Sequence, residues 1–370
     1  MLSNTKRILR TISIDTPDWA AHMVTCTHSC YNSGMQAIHM TATGPADEVL
    51  ELVDIPEPEI TTATQVKVRV KAAGINPVDT KLRNNGMFFP DALPAIPGCD
   101  GAGTVIETGA SATRFQPGDD VWFCHGGLGG APGNYAEMTV LEESAAEPMP
   151  ATLAFEEAAA LPLVLITAWE ALFDRAGLAA GQTVLIHAGA GGVGHVAIQL
   201  AKAVGAQVAT TVSTPEKAAL VGQLGADHVI LYPDCDVTGA IMEWTAGRGV
   251  DVVLDTIGGA TFRRSLDAAS VYGHVVTLLD PGNDVNWKNA RNRNLSISFT
   301  LMLTPMLQNL PAARKHQGEI LNHCAKLVTD GKLRPLVSMT LPLAEAAQAH
   351  RLIEAGHIQG KLVLEIPVQK

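Results

Sequence analysis

Val184-Leu185-Ile186 leads into Gly189-Ala190-Gly191-Gly192-Val193-Gly194, and from there Val193, Val196, Ala197, Leu200, Ala201 and Val204 recur at helical spacing. Gly205 supplies a stop, and Val208-Ala209-Thr210-Thr211 reads as a further strand. A lone G-x-G-x-x-G is weak evidence in a chain with 34 glycines among 370 residues, so the flanking strand, helix and strand carry the assignment. In such a unit the amide N–H groups of the turn and the positive end of the helix face an anion. A side chain at Gly191 or Gly194 would obstruct ligand approach or helix packing. The turn is therefore expected to hold a dinucleotide through Gly189, Ala190, Gly191, Gly192, Val193 and Gly194.

In NAD-binding folds an acidic side chain about 20 residues past the glycines usually accepts the adenosine ribose hydroxyls. Here the second strand runs out into Thr211-Val212-Ser213-Thr214-Pro215-Glu216-Lys217, with hydroxyls and a cation where a carboxylate would repel a 2′-phosphate. NADPH is expected over NADH. Ser213 can hydrogen-bond that phosphate, and Lys217, in the first turn of the next helix, can face it as a point charge. The opposing arrangement leaves Lys217 in solvent and puts Glu216 on the ribose.

The length of 370 residues suffices for two domains, and 47% hydrophobic with 17% charged residues describes a globular chain with a sizeable core. A formal net charge of -11 and the lack of a dense basic run argue against nucleic acid as a partner. No apolar stretch approaches the ~20 residues of a membrane span. Cys99, Cys124, Cys235 and Cys324 show no paired spacing, which suits a reducing cytoplasm. Cys26-x-His28-x-Cys30 lacks the usual zinc spacing. Residues 1–34 have no sustained periodicity and are set aside as a disordered or extended start. Asp15 and Asp18 go against the acid-poor composition of a targeting presequence.

Residues 35–154 read as short strands and turns: Val66, Val68 and Val70 alternate with Lys67, Arg69 and Lys71, and Pro117-Gly118-Asp119-Asp120 marks a turn. Across residues 155–283 strands and helices alternate, with Val229-Ile230-Leu231, Val252-Val253-Leu254 and Val275-Val276-Thr277 as buried parallel strands. Strand-like alternation resumes at Ser296-Ile297-Ser298-Phe299, a helix covers about Gly318 to Asp330, and Lys361-Leu362-Val363-Leu364 ends the pattern. The fold class expected is α/β plus β.

Five stretches occur in order over roughly residues 35–366: Gly74-Ile75-Asn76-Pro77-Val78-Asp79-Thr80-Lys81, Pro97-Gly98-Cys99-Asp100-Gly101-Ala102-Gly103, Phe115-Gln116-Pro117-Gly118-Asp119, Ala188 to Gly194, and Gly360-Lys361-Leu362-Val363-Leu364. On these motifs the chain resembles the medium-chain dehydrogenase/reductase superfamily, in the zinc-free quinone oxidoreductase branch that includes zeta-crystallin. The resemblance implies a GroES-like β domain from residues 35–154 and 284–370, with a Rossmann doubly wound parallel-sheet domain of residues 155–283 inserted in it. It also implies a ligand cleft between the two, and a homodimer. Zinc-dependent relatives place a cysteine in the first motif and a histidine in the second, where Asn76 and Cys99 stand here, and the cysteine lobe for structural zinc is missing. No bound zinc is expected.

Without a metal, the expected reaction is direct hydride delivery from NADPH to a quinone or an α,β-unsaturated carbonyl, with orientation supplying most of the catalysis. The first catalytic candidate is Asn76, whose counterpart in the resembled family lines the quinone pocket and whose amide can donate to an acceptor oxygen. An Asn that only closes the turn before Pro77 is the other role open to it. The second candidate is Lys81, where these oxidoreductases often carry a tyrosine; it can steady an oxyanion, donate a proton or sit in solvent. Phe88 and Phe89 stand near the place of a proton-donating tyrosine in enoyl reductases, which weakens an enoyl-thioester reductase as the alternative. Thr167 resembles the threonine beside the nicotinamide or caps a helix, while Thr256 and Gly258 follow the fourth strand of the cofactor domain and are expected at the ribose. Cys99 has a reactive thiol or a small buried hydrophobe open to it, and His125 a proton shuttle. A non-catalytic NADPH-binding structural or trafficking protein of the same fold is the competing function.

Overall fold

Runs rich in valine and isoleucine form strands throughout the chain, and their surroundings differ between its two parts. The computed structural model describes residues 34–89 and 91–367. The first strands are β1 (Gly34–Met40), β2 (Leu50–Pro56), β3 (Gln65–Ile75), β4 (Asp100–Thr108), β5 (Asp120–Cys124), β6 (Met138–Glu142) and β7 (Ala146–Pro148). Then come β8 (Thr183–Ile186), β9 (Gln207–Val212), β10 (His228–Leu231), β11 (Val250–Asp255), β12 (Ala269–Thr277) and β13 (Ser296–Phe299). Last are β14 (Val337–Pro342) and β15 (Lys361–Glu365). The expectation for residues 1–34 lies, apart from Gly34 at the start of β1, outside the described residues.

Strands β8 to β13 form one six-stranded sheet in the order β10-β9-β8-β11-β12-β13, parallel at every pairing. Counted along the chain this is 3-2-1-4-5-6, the doubly wound order, whose reversal beside the first strand opens a crevice at the strand carboxyl ends. Successive residues serve opposite faces, so Val184, Ile186, Val252 and Leu254 join one core while Leu185, Val253, Phe262 and Ile241 join another. Both faces are covered, which is why these strands read as continuous apolar runs.

The other large sheet runs β14-β15-β3-β4-β5-β7, with β6 also paired to β3. Its closing piece comes from the far end of the chain: β15 lies antiparallel to β3, Leu362 opposite Ile75 and Leu364 opposite Ala73. The GroES-like domain is thus assembled from the N-terminal half and the C-terminal tail, with the Rossmann-like sheet inserted between them. Its reading as strands and turns omitted the helix Pro77–Asn85, which Asn76 and Pro77 start.

One boundary needs correction. The sequence placed the end of the inserted domain at residue 283, yet β13 pairs in parallel with β12 and belongs to the six-stranded sheet. β13 is an edge strand with Ser296 and Phe299 exposed and Ile297 and Ser298 half-buried, so the alternation of Ser296-Ile297-Ser298-Phe299 does not identify the sheet it joins. Return to the first sheet comes only at β14. Between them the helix Pro311–Thr329 buries Ile320, Leu321 and Cys324 in the same core as Val164 and Leu165 of the helix Pro162–Trp169. Among the described residues no helix is long and apolar enough to cross a membrane.

Candidate active site

The turn after β8 is shaped by its glycines for two different reasons. A Cβ at Gly189 would collide with the Thr210 hydroxyl, and one at Gly194 with the Ala188 carbonyl, so these two are demanded by packing. Gly191 caps the helix Gly192–Val204 without a side-chain hydrogen bond and in extended geometry (φ -82°), and a Cβ there would meet only the Ala188 carbonyl oxygen at 3.2 Å. No acidic residue stands in the first turn, which leaves its amides and the helix dipole to an outside anion. Gly191, Gly192, Val193 and Gly194 line a cavity of about 720 Å³, whereas Gly189 and Ala190 stand behind it. Ala190 faces the other domain instead, its carbonyl accepting the Gly360 N–H at 2.8 Å.

Residues expected at the cofactor divide likewise. Thr167 and Thr256 line the cavity, and both hydroxyls are turned to backbone: Thr167 donates to Leu163 O at 2.7 Å and Thr256 to His187 O at 2.9 Å. Gly258 does not line it; its N–H donates to Asp255 at 3.0 Å, and its φ of +78° explains the glycine. Ser213 and Lys217 follow the carboxyl end of β9 outside the cavity lining, beside the turn through Thr211, which accepts the Gly189 and Ala188 N–H groups at 3.1 Å. Thr214 caps their helix by accepting from the Lys217 N–H, while among the described residues the Lys217 ammonium has no partner. Glu216 is exposed, and its own N–H with the Thr214 hydroxyl holds its carboxyl below the usual range, so it is engaged at the helix start.

Asn76 and Lys361 form the floor of the cavity, backed by a buried cluster of charged and polar side chains. Asn76, fully buried, donates through Nδ2 to Asp100 at 2.8 Å and accepts through Oδ1 from the Lys361 ammonium. Lys361 also donates to Ile75 O at 2.8 Å and stands 3.7 Å from Asp100. Asp100 holds the start of the helix Pro162–Trp169 by accepting the Leu163 N–H at 2.8 Å. Asp79 accepts from the Asn76 N–H at 2.8 Å and from Tyr135 at 3.1 Å through one oxygen, while its other oxygen is buried with no partner. Burial raises Asp100 and lowers Lys361 from their ordinary values, each opposed by the attraction of the other. Burial pushes Asp79 up to about 7, so near neutrality it shares the proton load of the cluster.

The Asn76 side-chain carbonyl is committed to Lys361, but an amide nitrogen has two N–H groups and only one goes to Asp100. Lys81 is exposed and lies on the cavity side of the helix Pro77–Asn85, with Val78, Leu82 and Asn85 at helical spacing beside it. Phe88 lines the cavity and Phe89 does not. Cys99 is buried and its thiol is pushed well up, the state of a small hydrophobe. Burial lowers His125 to about 4, outside the range of a proton shuttle at neutral pH. Lys361, Asp79 and Asp100 were missed as site residues. The signal was there in part: Asn76 with Asp79 three residues on is a capping pair, and Lys361 is a charge opening an apolar strand. Among the described residues no three histidine, cysteine, aspartate or glutamate side chains converge on a metal position.

Comparison with known proteins fits this architecture. The profile of the alcohol dehydrogenase GroES-like domain matches residues 62–151, and that described as zinc-binding dehydrogenase matches residues 224–364. A quinone oxidoreductase of Pseudomonas aeruginosa is 36% identical over 318 residues, covering 86% of this chain and 95% of the relative. Among solved structures, an alcohol dehydrogenase superfamily protein from Novosphingobium aromaticivorans matches with a TM-score of 0.83 at 36% identity, over 90% of this chain and 100% of that one. Escherichia coli quinone oxidoreductase complexed with NADPH matches with a TM-score of 0.79 at 31% identity, over 89% of this chain and 99% of that one.

Proposed function

Since the chain belongs to the medium-chain dehydrogenase/reductase superfamily, in its quinone oxidoreductase branch, we propose that it is a zinc-independent, NADPH-dependent reductase of quinones or α,β-unsaturated carbonyls. One observation carries this reading: a glycine turn at a helix start free of acidic residues and a buried amide backed by an ammonium group open on the same cavity.

The residues fit the cofactor. The amides of Gly191 to Gly194 and the helix start would hold its pyrophosphate, Ser213 and Lys217 its 2′-phosphate, Thr256 its ribose, and Thr167 would stand beside the nicotinamide. NADPH supplies a hydride when bound. What this chain adds is position and charge. Asn76 has one N–H left for an acceptor oxygen, and Lys361, bonded to the carbonyl of the same amide, fixes which way the amide faces and strengthens its donation. Lys81 serves as a further positive charge in the cavity. Against a catalytic zinc stands the same lysine: a divalent ion at Asn76 would adjoin the Lys361 ammonium, and a neutral amide brings no negative charge to offset it.

We also propose a homodimer through β13, an edge strand of the six-stranded sheet, beside which Tyr272, Phe299 and Leu301 are exposed. A cytoplasmic location suits the unpaired Cys99, Cys124, Cys235 and Cys324. Sedimentation would test the dimer. The activity is tested by following NADPH oxidation against quinones, enones and enals, with product analysis; oxidation well above buffer is expected. Tight NADPH binding with no turnover would make this a non-catalytic cofactor-binding protein instead.

A further inference from the structure

Resting on the reductase reading, we propose that the acceptor carries a negatively charged group remote from its electrophilic carbon, and that Lys81 and His357 hold that group at the rim of the cavity. The walls are mostly apolar, and among the residues lining them Lys81, His357 and Lys361 are ionisable while none is an aspartate or glutamate. In a chain whose formal net charge is -11, with 37 acidic against 26 basic residues, a cavity free of carboxylates and furnished with bases is a departure from its own composition.

Lys361 is accounted for by Asn76 and Ile75 in the floor and by Asp100 behind it. Lys81 and His357 are not: both are exposed, and neither has a hydrogen-bond or ion-pair partner among the described residues. Lys81 sits on the cavity face of its helix rather than on its solvent face, and His357 follows the helix Ala346–Ala355 that packs beside it. The carboxylate on that second helix is turned elsewhere, since Glu354 takes Arg83 and Asn84. The phosphates of the cofactor do not explain these two bases, because they are assigned to the turn after β8 and to the segment after β9, whereas Lys81 and His357 stand on the elements that close the other side. A carboxylate and a phosphate ester share the chemistry that such a pair of bases would meet.

Calorimetric titration of the NADPH-loaded protein separates the possibilities without requiring turnover. The probes are 4-(4-carboxyphenyl)butan-2-one, its methyl ester, and 4-(4-phosphonooxyphenyl)butan-2-one, which differ only at the far end. At low ionic strength at least one anionic ketone should bind about five- to tenfold more tightly than the ester, and the advantage should shrink at about 0.5 M salt. Which anion gains identifies the source. Lys81→Met with His357→Gln should bring the ratio close to one. An ester that binds as tightly as both anions, or an anion advantage that survives the double substitution, overturns the proposal. Turnover of the matching enones reports the reductase reading separately: reduction without an anion preference sinks only this inference, and preference without reduction sinks only that reading.

Discussion

Two regions face one cavity and are made in opposite ways. The turn between β8 and the helix Gly192–Val204 presents backbone, its side chains removed by glycine, and its parts lie within a dozen residues of each other. The floor presents Asn76 and Lys361, backed by the buried Asp79 and Asp100, and its bonds span 24 and 285 residues of chain. A backbone site tolerates no added atom but has no charge to balance; a side-chain site can be reshaped freely only if its charges change together.

The largest effect should come from removing the cation of the floor. Lys361→Met takes away the group that holds the Asn76 carbonyl and leaves Asp100 buried without its ion-pair partner. A fall in kcat of about 10²- to 10³-fold is expected, together with a stability loss of about 3 kcal/mol. Adding Asp100→Asn should recover part of the stability and little of the rate. If the double variant regains the rate as well, Lys361 acts only as a counter-charge.

The floor should also write itself into the pH dependence of stability. Asp79 has its pKa raised in the folded protein from 3.8 to about 7, so the folded state keeps a proton that the unfolded chain releases. The stabilisation from that proton is full below about pH 4 and is lost as pH rises through about 7. Asp79→Asn keeps an oxygen for the Asn76 N–H and for Tyr135 without the ionisation. Denaturant unfolding at about pH 5 and about pH 8 should show the parent losing a few kcal/mol and the variant clearly less. Equal losses would remove Asp79 from the cause.

The turn should respond to added atoms, and differently at neighbouring glycines. Gly194→Ala drives a Cβ into the Ala188 carbonyl and should cost about 1–3 kcal/mol of stability. Gly191→Ala meets nothing nearer than 3.2 Å in a conformation alanine adopts, so the melting temperature should hold while NADPH binding weakens about tenfold or more. Loss of both properties in Gly191→Ala would mean that its glycine, too, is a packing requirement.

This contrast explains what could be read in advance. The glycine turn and the parallel strands follow from local spacing and apolar runs, legible because neighbours in sequence are neighbours in space, whereas the insertion of one domain in another comes only with the family resemblance of the separated motifs. The floor is not local. Asn76 alone reads as a turn residue, Asp100 as a charge beside a cysteine and Lys361 as the polar end of a strand; only the pairing of β15 with β3 brings them together. The domain boundary failed for a related reason: alternation in the four residues of β13 does not tell which sheet the strand joins.

The smallest effect tests the outer edge of the turn. Lys217 lies in the first turn of the helix Pro215–Gln223, its ammonium unpartnered, while Glu216 beside it is engaged by its own N–H and by Thr214. If Lys217 meets the 2′-phosphate, it does so as one exposed charge, worth no more than about 1 kcal/mol. Lys217→Glu reverses that charge, so NADPH binding should weaken about five- to tenfold and NADH binding should hold or improve. Fluorescence titration of both nucleotides at two salt concentrations reads the difference directly, since a contact through one solvated charge fades with screening. Tighter NADH than NADPH binding by the parent would assign the ribose to Glu216 after all, and with it a preference for NADH.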